Sequence, residues 1–307
     1  MVILLDLYNR LSIYLKNRYG ERVQRLPINA GFTCPNKTGE KGKGGCIYCD
    51  STGSGFAAFS SQTSIEDQVK NMIEKYQSKA NKFIVYFQSN TNTYAPAKVL
   101  KIRYEKALID DRIVALDVST RPDCISNETI EVLKEFKDNL DVFVELGVES
   151  TNPNTLKFMN RGHTLAEVID ATNRLKKANL EIILHYIIDF PTDTIEDVVE
   201  MAKISSVLKV NGVKLHSLYI VENTKLGEMY KLGEFVPLTL KAFVDRSIIF
   251  LEYLDPNVVI HRLVADPPKE GTLHGNWGLS KIQILNIIEA EMKKRNSYQG
   301  KLFDYLK

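Results

Sequence analysis

The sequence predicts an α/β fold, an incomplete TIM-type (β/α)6 barrel followed by a C-terminal extension. Three observations carry this. From about Arg22 onward, short β-branched or apolar runs alternate with amphipathic stretches, the pattern of a parallel sheet covered by helices. The apolar runs are only several residues long, as in strands buried on both faces. No long Pro/Gly/Ser linker interrupts the series.

Before the first strand, Asp6, Arg10, Lys16 and Arg18 interrupt the apolar residues at helical spacing, so this stretch lacks the unbroken core of a signal peptide. Strands are expected at Arg25–Ala30, Lys82–Gln88, Ile113–Ser119, Val142–Val148, Ile182–Ile188 and Val213–Val221. Thr63 with Glu66, and Thr164 with Glu167, have capping-box spacing and open helices expected to run to about Ser78 and Ala178. Asp193, Thr194, Glu196 and Asp197 crowd a first helical turn, where the helix dipole favours acidic groups. After Val236 the rhythm changes to a long helix, a strand near Val258–Leu263, a Pro/Gly-containing loop and a final helix Lys281–Asn296. Residues 1–235 are thus expected to form the barrel core, and 236–307 an extension packed across its open side. In such folds chemistry sits beyond the carboxyl ends of the strands.

The chain has 307 residues, 44% hydrophobic and 25% charged, which suits one main globular domain. Forty basic against 38 acidic side chains give a net charge of +2, too balanced to mark a nucleic-acid surface by charge alone. No stretch approaches the roughly 20 apolar residues of a membrane span. A cytoplasmic, reducing location is expected, where cysteines bind metal or do redox chemistry rather than form structural disulfides.

Three of four cysteines, Cys34, Cys46 and Cys49, lie in a C-x11-C-x2-C spacing directly after the first expected strand. Gly39, Gly42, Gly44 and Gly45 let that loop wrap a metal group, and Lys37, Lys41 and Lys43 would favour thiolates. Three ligands suit a [4Fe-4S] cluster with one iron left open for substrate or cofactor. Structural zinc is the alternative, but it needs four ligands, and Cys124 and His163 are distant in sequence. A set of cysteines with no shared role is the other.

At these residues the sequence resembles the radical SAM superfamily: a cysteine triad after the first barrel strand, with aromatic Tyr48 before the last cysteine. The long spacing, with Gly31-Phe32-Thr33-Cys34-Pro35-Asn36, Thr120-Arg121-Pro122-Asp123, Glu145-Leu146-Gly147-Val148-Glu149-Ser150 and Asn160-Arg161-Gly162-His163, resembles the YhcC/YtqA-like subgroup. That subgroup is related to the elongator catalytic subunit and, more distantly, to oxygen-independent coproporphyrinogen oxidases. The resemblance implies a partial barrel of the radical SAM type and a [4Fe-4S] cluster on the three cysteines. It also implies S-adenosylmethionine (SAM) on the open iron, cleaved by one electron to a 5′-deoxyadenosyl radical. Tyr48 would lie near the adenine, and Gln88, Asn90 and Asn92 would donate to the methionine end. Thr120, Arg121, Asp123, Glu145 and Glu149 would contact ribose and SAM, and Arg161 would clamp the SAM carboxylate.

Glu145 and Glu149 alternate with Leu146 and Val148, so both should face one side of the sheet, with an ion pair to Arg121 or Arg161 as the plain structural reading. Lys214 and His216 share a face of the sixth strand and are candidate substrate contacts; His185, His261 and His274 rank behind them. Asp189-Phe190-Pro191-Thr192 stands where relatives carry Gly-Leu-Pro-Gly, which puts side chains where backbone would approach adenine.

Trp277 and the basic helix end Lys293-Lys294-Arg295 are compatible with RNA, as they are with packing and a solvated helix end. Lys294-Arg295-Asn296-Ser297-Tyr298-Gln299-Gly300 looks like the YtqA-like branch. That resemblance implies a tRNA substrate, with removal of the carboxymethyl group from carboxymethylaminomethyluridine at the wobble position, and an electron donor such as flavodoxin or ferredoxin. Competing expectations are a radical SAM oxidase or decarboxylase of a small carboxylated metabolite, and a non-catalytic metal-binding protein.

Overall fold

The computed structural model describes residues 6–50, 52–53 and 58–306. The chain divides into two compact units. One takes Ser12–Val148 and Asn160–Ile183; the other takes the chain up to Leu11, Glu149–Met159 and everything from Leu184.

The first unit holds α1 (Leu11–Tyr19), β1 (Val23–Ile28), α2 (Pro35–Thr38), α3 (Ile65–Tyr76), β2 (Lys82–Phe87), α4 (Ala97–Glu105), β3 (Ile113–Thr120), α5 (Asn127–Lys137) and β4 (Asp141–Glu149). After α6 (Pro153–Phe158), which belongs to the other unit, come α7 (Leu165–Lys177) and the start of β5 (Glu181–Ile187). Strands β1 to β5 lie side by side in chain order, and the β1-β2, β2-β3 and β3-β4 pairings are parallel. Each neighbour in the sheet is thus reached through a helical crossover, the repeat that the alternating runs imply. Phe83, Ile84, Val85 and Phe87 of β2 are all buried, so both faces of the strand are covered.

The second unit takes the rest of β5, then α8 (Ile195–Val207), β6 (Gly212–His216), β7 (Ile220–Val221), α9 (Lys225–Lys231), α10 (Leu240–Tyr253), β8 (Val259–Arg262), β9 (Thr272–His274) and α11 (Lys281–Lys294). β6 lies between β5 and β8 and pairs with β8 in parallel. β7 and β9 form a separate antiparallel pair.

Two expectations are corrected. The sixth strand does not run from 213 to 221. It breaks after His216, where the Leu218 N–H donates to the Asp189 carboxylate and Ser217 Oγ donates to Asn276 Oδ1. The cap of α3 is Ser64, which accepts from Asp67 N, rather than Thr63 with Glu66. Gln68 explains the shift: its buried amide donates to the Thr63 and Asn29 carbonyls and accepts from Asn29 N, extending β1 with a side chain. The box at Thr164 and Glu167 forms as expected, and Thr194 makes another with Asp197.

The closing residues are structural. Gln299 accepts from Asn9 N and donates to the Asp255 and Val258 carbonyls, while its own N–H reaches Leu7 O. Arg295 is engaged by Asp245 and Glu291, with Lys293 and Lys294 exposed beside it.

Candidate active site

The cysteine loop leaves β1 and is pinned from within. Cys34 precedes α2, and its carbonyl accepts from Lys37 N and Thr38 N; Gly45 N returns to Asn36 O, and Cys49 N to Cys46 O. Asn36 is fully buried, and its amide donates to Asn160 O at 2.6 Å and to Cys46 Sγ at 3.4 Å. Arg161 Nη1 reaches the same sulfur at 3.6 Å. Asn160, at φ 54°, donates to the carbonyls of Gly45 (2.6 Å) and Lys43 (3.0 Å). The Asn-Arg-Gly-His segment is therefore a clamp on the cysteine loop. A Cβ at Gly42 would overlap Asn36 Oδ1, so glycine is required there.

Charges around the sulfurs differ. Burial works to raise the Cys34 pKa, but hydrogen bonds from Thr91 and the Asn36 backbone, with the Arg121 and Arg161 charges, prevail and hold it below the ordinary thiol value. Burial pushes Cys49 up to about 12 against the pull of Lys37. Lys37 Nζ donates to Asp50 O (2.7 Å) and Asn90 Oδ1 (3.0 Å), while Lys41 and Lys43 are exposed. Cys124 is also raised to about 12, by burial and Asp123, and lines a cavity of about 770 Å³ with Thr33, Pro35, Thr93 and Arg103.

At the ends of β2 and β3 the polar residues largely hold one another. Asn90 donates to Phe32 O; Asn92 donates to the Phe87 and Ser119 carbonyls, and its buried Oδ1 has no donor among the described residues. Thr120 meets Thr93 at 2.5 Å, and Thr93 donates to Cys124 O. Arg121 grips Asp123 through Nε and Nη2 (2.9 and 3.0 Å) and Arg161 O through Nη2, leaving Nη1 buried with no acceptor among the described residues. Tyr48 and Gln88 are half-buried. Arg161 Nη2 donates to Gly147 O at 2.6 Å, and His163 Nε2 lies 3.1 Å from the same carbonyl. Burial, then the Arg161 and Arg121 charges, hold His163 well below the ordinary imidazole value.

Glu145 departs from expectation. Its ion pair is with Arg25 of β1 at 3.0 Å, not with Arg121 or Arg161, and Arg25 also pairs with buried Asp117 at 3.0 Å. Glu149 ends β4 in the left-handed region, at φ 69°.

In the second unit Lys214 is buried, His216 contacts Arg262 through Nε2, and the His185 and His216 rings lie 5.6 Å apart. Sequence reading missed Arg262. Asp189 does not project as the loss of glycine suggested. Its carboxylate receives Leu218 N (2.8 and 3.1 Å), and burial raises it to about 7. Arg246 of α10 donates to the carbonyls of Ile188, Phe190 and Asp193, and Thr192 bonds Thr155 at 2.7 Å. Burial likewise raises Asp193 to about 6. Trp277 donates to Leu238 O (2.8 Å) and packs on Phe243, so its indole is part of the unit's packing.

Residues 36–204 match the model of the radical SAM superfamily, and 210–294 that of the radical SAM C-terminal domain. The chain belongs to the radical SAM superfamily. It stands in the YhcC/YtqA-like group related to Elp3, being 32% identical to Bacillus subtilis YtqA over 97% of this chain and 94% of that protein. A tRNA uridine(34) acetyltransferase of Methanocaldococcus infernus is 36% identical over 130 residues, 41% of this chain and 24% of the acetyltransferase. The solved structure of M. infernus Elp3 with an N-terminal deletion has TM-score 0.69 at 20% identity, covering 90% of this chain and 64% of that one; the α/β partial-barrel fold is shared.

The cofactors of this radical SAM protein are a [4Fe-4S] cluster and SAM. Its residues fit them. Three cysteines share one loop, two side chains donate to Cys46 Sγ, and Arg121 keeps one buried donor available for an incoming acceptor. Among the described residues, no three His, Cys, Asp or Glu converge as ligands of a single ion. No helix among them is long and apolar enough to cross a membrane.

Proposed function

We propose that this enzyme remodels the carboxymethylaminomethyl side chain of the tRNA wobble uridine to aminomethyl, with Cys34, Cys46 and Cys49 as the cluster ligands. The observation that carries the substrate is the likeness of two-fifths of the chain to a tRNA uridine(34) acetyltransferase, a protein named for the same nucleotide. When bound, cluster and SAM supply a 5′-deoxyadenosyl radical by one-electron cleavage of the sulfonium.

The protein's part is positional. Asn36 and Arg161 orient Cys46 and temper its charge. Tyr48, Gln88, Asn90, Asn92, Thr120, Asp123, Glu145 and Glu149 surround SAM, and the free Nη1 of Arg121 receives an anionic acceptor. Lys214 and His216 hold the substrate base. Residues 1–235 serve as the core and 236–307 as the C-terminal extension. The enzyme works in the cytoplasm, with flavodoxin or ferredoxin as electron donor.

The test uses anaerobically reconstituted protein, tRNA bearing the carboxymethylaminomethyl base, SAM and reductant. Release of 5′-deoxyadenosine together with the aminomethyl nucleoside, both abolished by Cys34→Ala, is the expected result. Deoxyadenosine formation that ignores tRNA and responds to a small carboxylated metabolite would overturn the substrate.

A further inference from the structure

We propose that the cavity beside the cysteine loop is a nucleotide pocket, taking a base and phosphate of the tRNA strand next to the wobble uridine, an assignment that rests on the reading above. Its walls come from one unit: Thr33, Pro35 and Lys41 of the cysteine loop, Tyr94 after β2, Arg103 of α4 and Cys124 after β3. Its volume, about 770 Å³, lies in the usual range of small-molecule sites. Thr33 and Pro35 flank Cys34, so whatever fills the cavity lies next to the proposed cluster ligands.

Arg103 selects the ligand. Its guanidinium lies over the Phe32 ring, 4.4 Å from the centroid, and makes no ion pair or hydrogen bond among the described residues. In the same unit Arg18, Arg112 and Arg121 each hold a carboxylate. Phe32 is buried, with its ring 6.5 Å from that of buried Tyr104, so the platform under Arg103 is fixed by packing. A guanidinium laid on one ring keeps a second flat face, on which an unstacked base can stack. Its edge keeps N–H donors for a phosphate.

Charge points the same way. The carboxylates of the cavity are engaged, Asp123 by Arg121 and Glu40 by the Tyr94 hydroxyl. Its cations, Lys41 and Arg103, have no acidic partner among the described residues. With Asp123 neutralised by Arg121, these two cations outweigh Glu40, and the amino end of α4, where Pro96 supplies no side-chain cap, adds to the positive potential. An anionic strand meets that balance. Stacking accepts any base, so the pocket suits a neighbour of the target rather than the target itself. Presenting the wobble base to the cluster unstacks it, and a pocket that stacks its neighbour offsets part of that cost.

The experiment measures binding of anticodon stem-loops to the reconstituted holoenzyme with SAM and no reductant, by fluorescence anisotropy. Loops bearing the carboxymethylaminomethyl base are compared intact and abasic at the nucleotide before or after it. Wild type should lose about 10-fold at one of those two positions, within the worth of one stacked base. Arg103→Gln should bind the intact loop about as weakly as wild type binds that abasic one, and lose little more when the base is removed, with SAM affinity unchanged. Arg103→Lys keeps the charge without the plane, so it should also be indifferent to the base; it decides alone if Arg103→Gln does not fold. Additive losses, no loss at either abasic position, full recovery in Arg103→Lys, or weakened SAM binding each overturn the pocket. If wild type binds no stem-loop, the wobble-uridine reading has failed, and the pocket is judged by uridine 5′-monophosphate. Thermal stabilisation of SAM-loaded wild type that is lost in the Arg103 variants sustains a nucleotide site, with a free nucleotide as its ligand; stabilisation that persists in them, or none at all, overturns it.

Discussion

Asn36→Ala isolates the clamp on the cysteine loop. The Asn36 amide serves two acceptors, Asn160 O at 2.6 Å and Cys46 Sγ at 3.4 Å, in a position with no solvent exposure. Its removal leaves the part-buried Asn160 carbonyl without this donor, which costs about 1–2 kcal/mol, and takes a donor from a sulfur, worth about 1 kcal/mol more. A small gain offsets this, because Asn36 Oδ1 has no donor among the described residues and disappears with the side chain. The net loss is about 2 kcal/mol, which lowers the apo-protein melting temperature by on the order of 3 °C. With Cys46 as the cluster ligand proposed above, the loss of a hydrogen bond to its sulfur also makes the cluster harder to reduce. The assay is a calorimetric melt of the apo-protein, then iron content and midpoint potential after reconstitution. An unchanged melt with full iron and an unchanged potential would refute the claim that Asn36 orders the loop and tunes Cys46.

Four further outcomes are expected. Gly42→Ala drives a methyl into Asn36 Oδ1 and should lower iron retention, read as iron per chain after desalting. Cys124→Ala should keep four irons where Cys34→Ala loses them, by the same assay; loss in Cys124→Ala would make it a ligand. Asp189 is raised to about 7, so its contribution to stability is full below pH 4 and is lost as pH rises through 7. Asp189→Asn keeps an acceptor for Leu218 N, so its melting temperature should fall less than that of wild type between pH 4 and 7. Trp277→Phe keeps the ring contact with Phe243 but loses the bond to Leu238 O, so it should cost about 1 kcal/mol in chemical denaturation and leave stem-loop affinity unchanged.

The strands were legible because buried parallel strands announce themselves as short apolar runs, and five of the six expected segments match to within a couple of residues. The sixth fails because the turn at Ser217 and Leu218 is held by Asp189 and Asn276, both remote in sequence. The same limit governs the site. Cysteine spacing is local and readable, whereas nothing local says that Asn160 and Arg161 close over the loop of Asn36, or that Glu145 meets Arg25. Arg262 escaped because an extra residue in β8 breaks the period on which parity arguments depend. Trp277 and Gln299 show the converse: residues suggestive of RNA or of a subgroup signature are held by backbone carbonyls within their own unit.

The bonds from Gln299 to Asn9, Asp255 and Val258 set an order of synthesis. The unit that includes Leu7 and Asn9 cannot close until residue 299 has emerged from the ribosome. The cysteine unit takes its residues from Ser12–Val148 and Asn160–Ile183, all made well before residue 299. The cysteine loop can therefore be finished while the other unit is still being translated.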